Sequence, residues 1–196
     1  MRFLADYAYL EPTKTEDSSS YCYDNLPSNC ETYGRVYMWS AAMDSVGKLS
    51  ETGKNCGDKE ICSPTYPVQG VCPKDWHLPT QEEYDMLILE IGGNQADVKV
   101  LKTTSGWAES SNGSDNFGFS ALPAGEKGLL GYVDDGRDFQ GQGIMTGFWT
   151  STEEDDGGAI TFSFSTNKED KQDWWILTTT DVKTQGKSVR CVENDK

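Results

Sequence analysis

The chain has 196 residues, with 32 acidic against 17 basic side chains and a formal net charge of -15. A pI of about 4.3 argues against a nucleic-acid backbone or an anionic membrane surface as partner, since both would repel it. Six Trp, nine Tyr and seven Phe supply enough apolar area to exclude disorder throughout, and the length fits one domain spanning 1–196.

No window approaches the roughly 20 apolar residues of a membrane span, so no membrane insertion is expected. The start, Met1-Arg2-Phe3-Leu4-Ala5-Asp6, does not read as a signal peptide, because Asp6 interrupts its apolar stretch. The cysteine usage nevertheless favours export, so the expectation is a secreted or cell-surface protein whose signal peptide is not present in this chain.

Residues 11–32 are polar and without periodicity, which predicts a loop. Tyr33 to Ser40 alternates and predicts a short strand, followed by helical composition over Ala41 to Asp44. From Gly47 to Gly70 the chain is punctuated by Gly, Pro, Asn and Cys, so a long loop is expected over 47–70, held covalently. None of the six cysteines forms a C-x-x-C pair. Cys22 with Cys30 and Cys56 with Cys62 read as small turn-rich rings by proximity, and elimination leaves Cys72 with Cys191. Other connectivities, and six reduced thiols in a cytosolic protein, stay open on the residues alone.

The clearest local signal follows Trp76. Thr80 with Glu83 three residues later makes a capping box, and acids in the first turn complement the helix dipole. Tyr84, Leu87, Ile88 and Ile91 form one apolar stripe, and Gly92 is expected to end the helix. A second short helix is predicted over 95–101 and an extended stretch over 102–107. Strands are predicted at 118–122, 147–151, 159–165, 174–179 and 187–192, with turns at 134–138 and 153–158. The period of two in Ile160 to Phe164 predicts one buried face. Two main helices and short antiparallel strands, stapled by disulfides, make an α+β class.

Several strings stand out together: Tyr21-Cys22-Tyr23-Asp24 with Asn29-Cys30, Tyr33 to Trp39, Gly70-Val71-Cys72-Pro73, Trp76-His77-Leu78-Pro79-Thr80, Thr104 to Trp107, Phe117 to Gly125, Phe148 to Glu153 and Ser188 to Val192. In this order they resemble the Fibrobacter succinogenes major paralogous domain. The resemblance covers nearly the whole chain in order. It implies an extracytoplasmic, surface-associated module with a C-type-lectin-like fold, distantly similar to formylglycine-generating and sulfatase-modifying domains.

His77 is the only histidine and, lying just before a helix cap, reads as structural. The adjacent pairs Glu82 with Glu83 and Asp155 with Asp156 lack the spacing of glycosidase carboxylates and read as a dipole complement and a solvated turn. Asn112, Ser114 and Asp115 offer Ca²⁺ the hard oxygens it takes, and the same pattern makes an Asx-type turn; no other cofactor is expected. Trp149, Trp174 and Trp175, with Asp173, are the ligand candidates, because an exposed Trp beside carboxylates stacks a sugar or anchors a protein. The expected function is a non-catalytic cell-surface domain that binds a glycan or a protein. The alternatives are an enzyme of the sulfatase-modifying type and a structural module of a surface or fimbrial assembly.

Overall fold

The computed structural model describes residues 20–93, 97–108, 111–128, 138–166 and 173–195, and of 173–177 the backbone alone. Strands β1 (Ser20–Tyr21) and β2 (Val36–Tyr37) pair antiparallel. Between them lies helix α1 (Pro27–Tyr33), where a loop is expected. Pro27 brings a preset φ to the start of the helix, where its missing N–H would have no partner anyway. α1 buries none of its residues, so it has no apolar stripe to betray it. The Cys22–Cys30 bond closes this turn, and Arg35 clamps it, with Nε donating to Ser20 Oγ at 3.0 Å and Nη2 to the Ser20 carbonyl at 2.7 Å. The strand expected over 33–40 shrinks to β2, because Tyr33 ends α1 and Trp39 opens α2 (Trp39–Ala42).

The long segment after α2 is irregular, as expected, and tied down polar group by polar group. The buried Asp44 carboxylate accepts from the backbone N–H groups of Lys48, Leu49 and Ser50 at 3.1, 2.6 and 2.9 Å. Gly53 and Gly70 pass so close to the Met43 and Ala42 carbonyls that a Cβ at either position would collide with them. The Cys56–Cys62 ring is anchored by buried Lys183, whose Nζ donates to Glu153 Oε1, the Asp156 carbonyl and the Glu60 carbonyl at 2.5, 3.0 and 3.1 Å.

β3 (Trp76–His77) leads into α3 (Gln81–Glu90). The capping box forms: Thr80 Oγ1 accepts from the Glu83 N–H at 3.3 Å, and Glu83 Oε2 accepts from the Thr80 N–H at 2.8 Å. Tyr84 is fully buried and stacks on Phe162 with ring centroids 4.3 Å apart, and Leu87, Ile88 and Ile91 pack on the same cluster. The helix is capped by Ile91, one residue before Gly92. The second helix expected over 95–101 is a single 3₁₀ turn, Val98–Val100. Residues 94–96, most of the 134–138 turn and the first residues of the chain lie outside the described residues.

In the second half, β4 (Glu126–Lys127) pairs with β5 (Phe139–Gln140), and β6 (Met145–Glu153), β7 (Gly158–Thr166) and β8 (Asp173–Val182) form an antiparallel sheet in that order. The expectation that β7 buries one face is corrected: Ala159, Ile160, Thr161 and Phe162 are all buried. Side chains of successive strand residues point to opposite faces, and both faces of β6 carry a core. Phe148 joins Tyr84, Trp107, Phe119, Phe162 and Phe164 in one. Trp149 joins Tyr37, Trp39, Met43 and Leu78 around Cys72 and Cys191 in the other.

The strand expected over 187–192 is also corrected. Gly186 bridges Lys127, Lys187 bridges Tyr37 and Ser188 bridges Phe148, and only β9 (Val192–Glu193) pairs with β3. This stretch threads between elements, and three different neighbours satisfy its backbone. Residues 102–107 and 118–122 meet through one bridge, Lys102 with Ala121, rather than as strands. The molecule thus mixes a few helices with small antiparallel sheets and three disulfides, Cys22–Cys30, Cys56–Cys62 and Cys72–Cys191, the pairs that proximity and elimination select.

Candidate functional site

Trp149 is not a surface residue. It is fully buried, its Nε1 donates to the Tyr37 carbonyl at 2.7 Å, and Trp39 Nε1 donates in return to the Thr150 carbonyl at 2.8 Å. The two indoles tie α2 and β2 to β6, so the expected role of Trp149 in ligand binding is corrected to a core role. In β8, Trp174 stands opposite Ser165 and Ile176 opposite Phe164, which leaves Trp175 as the extra residue of a bulge. The side chains of Asp173, Trp174 and Trp175 lie outside the described residues.

The oxygens of the candidate calcium loop are used by the loop itself. Asn112 Oδ1 accepts from the Trp107 N–H at 3.1 Å, and Ser114 Oγ donates to the Lys99 carbonyl at 3.5 Å. The Asp115 carboxylate accepts from the Ser120 N–H at 2.7 Å and from its hydroxyl at 2.6 Å. Among the described residues, no three His, Cys, Asp or Glu side chains gather to hold a metal ion. What the Asp115–Ser120 closure does is present Phe117, 56% exposed, to a neighbouring hollow.

That hollow is a cleft of about 510 Å³, within the usual range for ligand sites. Four pieces of chain build it. β3 contributes His77, and one face of α3 contributes Glu83, Met86, Leu87 and Glu90, spaced as helix neighbours. The 115–120 loop contributes Phe117 and Phe119, and the end of the chain Val192, Glu193 and Asp195. Phe119 and Val192 are buried, whereas Met86 and Phe117 are half exposed. The result is an apolar trough with a carboxylate rim.

His77 fastens the back of the cleft. Its Nδ1 lies 2.7 Å from Asn194 Oδ1 and its Nε2 lies 2.9 Å from Glu83 Oε1. An imidazolium donates to both oxygens, whereas either neutral tautomer would leave one nitrogen without a proton facing an acceptor. Burial by itself lowers the His77 pKa, but the hydrogen bonds to Glu83 and Asn194 and the charges of Glu83 and Asp195 outweigh it and hold the pKa above its ordinary value. Burial likewise works to raise the Glu83 pKa, and the bonds from His77 and Thr80 overcome this and hold it below the usual carboxylate range.

The two shifts have opposite consequences for stability. The raised His77 pKa contributes stability that is complete below about pH 6.5 and is lost as the pH rises through the folded value. The lowered Glu83 pKa contributes stability present above about pH 4.5 and lost as the pH falls through its folded value. Thermal melts of the protein and of His77→Gln across pH are therefore expected to differ most between 4.5 and 6.5. A difference that widens as the pH rises further would contradict a charged His77.

The family model of the Fibrobacter succinogenes major domain matches residues 4–193. The chain belongs to this family. No curated protein and no solved structure matches it. Family membership covers β3, α3, the 115–120 loop and β9, the four pieces that build the cleft, and ends two residues before Asp195.

Sequence reasoning finds the aromatic and acidic residue types of the site but places them elsewhere. Met86 and Glu90 lie off the apolar stripe of α3 and carry no pattern of their own. Phe117 was legible as part of Phe117-Gly118-Phe119 only within the family resemblance. The nearest local signal is the pairing of Asp115 with Ser120 across a glycine, a turn whose tip must be exposed.

Proposed function

We propose that the chain is a non-catalytic binding module, exported and displayed at the cell surface in a C-type-lectin-like fold. Its cleft takes a protein segment that presents an apolar side chain beside a lysine or arginine. The composition of the cleft carries this reading: half-exposed Phe117 and Met86 line it together with Leu87 and Phe119, and Glu90, Glu193 and Asp195 line it too. Aromatic and Met side chains of this kind serve as anchors at protein interfaces, and the carboxylates favour a cationic partner.

The distribution of charge supports the same partner. Lys102, Lys183, Lys187 and Arg190 are buried, against only two buried acids, Asp44 and Glu126, among the described residues, so burial there takes more positive than negative charge from the surface. Three disulfides support an oxidising compartment. The non-catalytic reading is supported over the sulfatase-modifying one because all six cysteines are bridged and His77 is held as a strut by two partners.

Selection of a random peptide library on the immobilised protein tests the proposal. The expected binders join Lys or Arg to Leu or Phe, and Phe117→Ala, made with Met86→Ala, weakens them about tenfold, or about 1.4 kcal/mol, with the melting temperature unchanged. Binders that lack basic residues, or that ignore both substitutions, would count against it.

A further inference from the structure

A second hollow, of about 210 Å³, lies at β4, the start of β6, β7, β8 and Lys187. Ser163 and Ser165 of β7 and Thr179 and Asp181 of β8 line it. The strand register sets Gly147 opposite Ser163, and a Cβ at Gly147 would stand 2.8 Å from Ser163 Oγ and 3.2 Å from Lys187 Cδ. The glycine therefore leaves room beside Ser163 Oγ and the Lys187 side chain.

Buried Lys187 is ion-paired with Glu126 and, at 3.1 Å, with Asp181 Oδ2. Glu126 Oε1 accepts from Gln140 Nε2 at 2.7 Å, and Asp181 Oδ2 accepts also from the Thr161 hydroxyl at 2.8 Å. This fixes the orientation of Asp181, whose side chain is 25% exposed. Ser163 Oγ is buried and has no hydrogen-bond partner among the described residues. A buried hydroxyl left this way calls for a partner.

We infer that this hollow binds one neutral sugar ring of a glycan. The ring hydroxyls donate to the Asp181 carboxylate and exchange hydrogen bonds with Ser163 Oγ, within reach of the Thr179 and Ser165 hydroxyls. The Met145 side of the hollow meets the apolar C–H face of the ring. Two carboxylates against one ammonium disfavour a carboxylated sugar, so the site discriminates neutral rings from uronic acids. Different residues from those of the cleft carry this inference, and it stands or falls independently of the protein ligand proposed there.

Amide-shift titrations of the full chain with glucose, galactose, mannose, xylose and N-acetylglucosamine, and with glucuronic and galacturonic acids, test it. At least one neutral sugar is expected to give saturable shifts centred on Ser163, Thr179 and Asp181. Ser163→Val weakens that sugar about tenfold, and Ser165→Trp, which fills the hollow, abolishes the shifts. Phe117→Ala leaves them unchanged, and both uronic acids bind more weakly. Absence of saturable shifts with every neutral sugar, shifts that survive Ser165→Trp in a folded variant, or a uronic acid that binds as tightly would overturn the inference.

Discussion

Lys187→Met is expected to destabilise the protein by about 3 to 5 kcal/mol, because removing one member of a buried ion network strands its partners. Lys187 and Glu126 are both buried, and Asp181 is the only member with a quarter of its side chain exposed. The substitution leaves two carboxylates facing each other without a cation and also removes an ammonium 5.9 Å from the Trp149 ring centroid. Gln140 and Thr161 would still donate to Glu126 and Asp181, but neutral donors do not replace a charge. Urea denaturation at neutral pH measures the effect. A loss below about 1 kcal/mol, the range of surface pairs, would contradict the buried network.

Removing the Cys72–Cys191 bond is expected to cost about 5 kcal/mol on the chain-entropy account, against about 2.5 kcal/mol for Cys22–Cys30. The difference follows from sequence separation, 119 residues against 8. Cys72 and Cys191 are also buried in the core that contains Trp39 and Trp149, so their alanine replacements leave a larger void than those of the half-buried Cys22 and Cys30. Guanidinium denaturation of the two double alanine variants compares them. Equal costs, or a larger cost for the local ring, would contradict the dependence on the length of the closed loop.

Features set by near neighbours in the chain were legible. The Thr80 and Glu83 capping box is a contact across three residues, and β6, β7 and β8 are uninterrupted runs between Gly and Asp clusters. α1 was not legible, because a helix that buries nothing has no periodicity and only Pro27 and Gly34 mark its ends. Nor was the passage from Gly186 to Ser188, since it holds no apolar residue to mark it and its partners come from β2, β4 and β6. The buried cations were hidden for a similar reason: a lysine is read as surface unless its carboxylates are known to converge on it, and Glu126 lies 61 residues from Lys187. Trp149 reads as a ligand residue in the sequence because an aromatic on a strand looks the same whether α2 or water covers it. The cleft joins β3, α3, a turn and the chain end, a convergence set by the β3 with β9 pairing rather than by any local pattern.

The most direct measurement is amide-shift mapping of a selected basic, apolar peptide on the isotope-labelled chain at two salt concentrations. Shifts are predicted along Glu83 to Glu90, at Phe117 and Phe119, and over Val192 to Asp195, with affinity falling several-fold as salt screens the carboxylate rim. Shifts concentrated away from these residues, or an affinity indifferent to salt, would contradict the assignment of this cleft as the docking site.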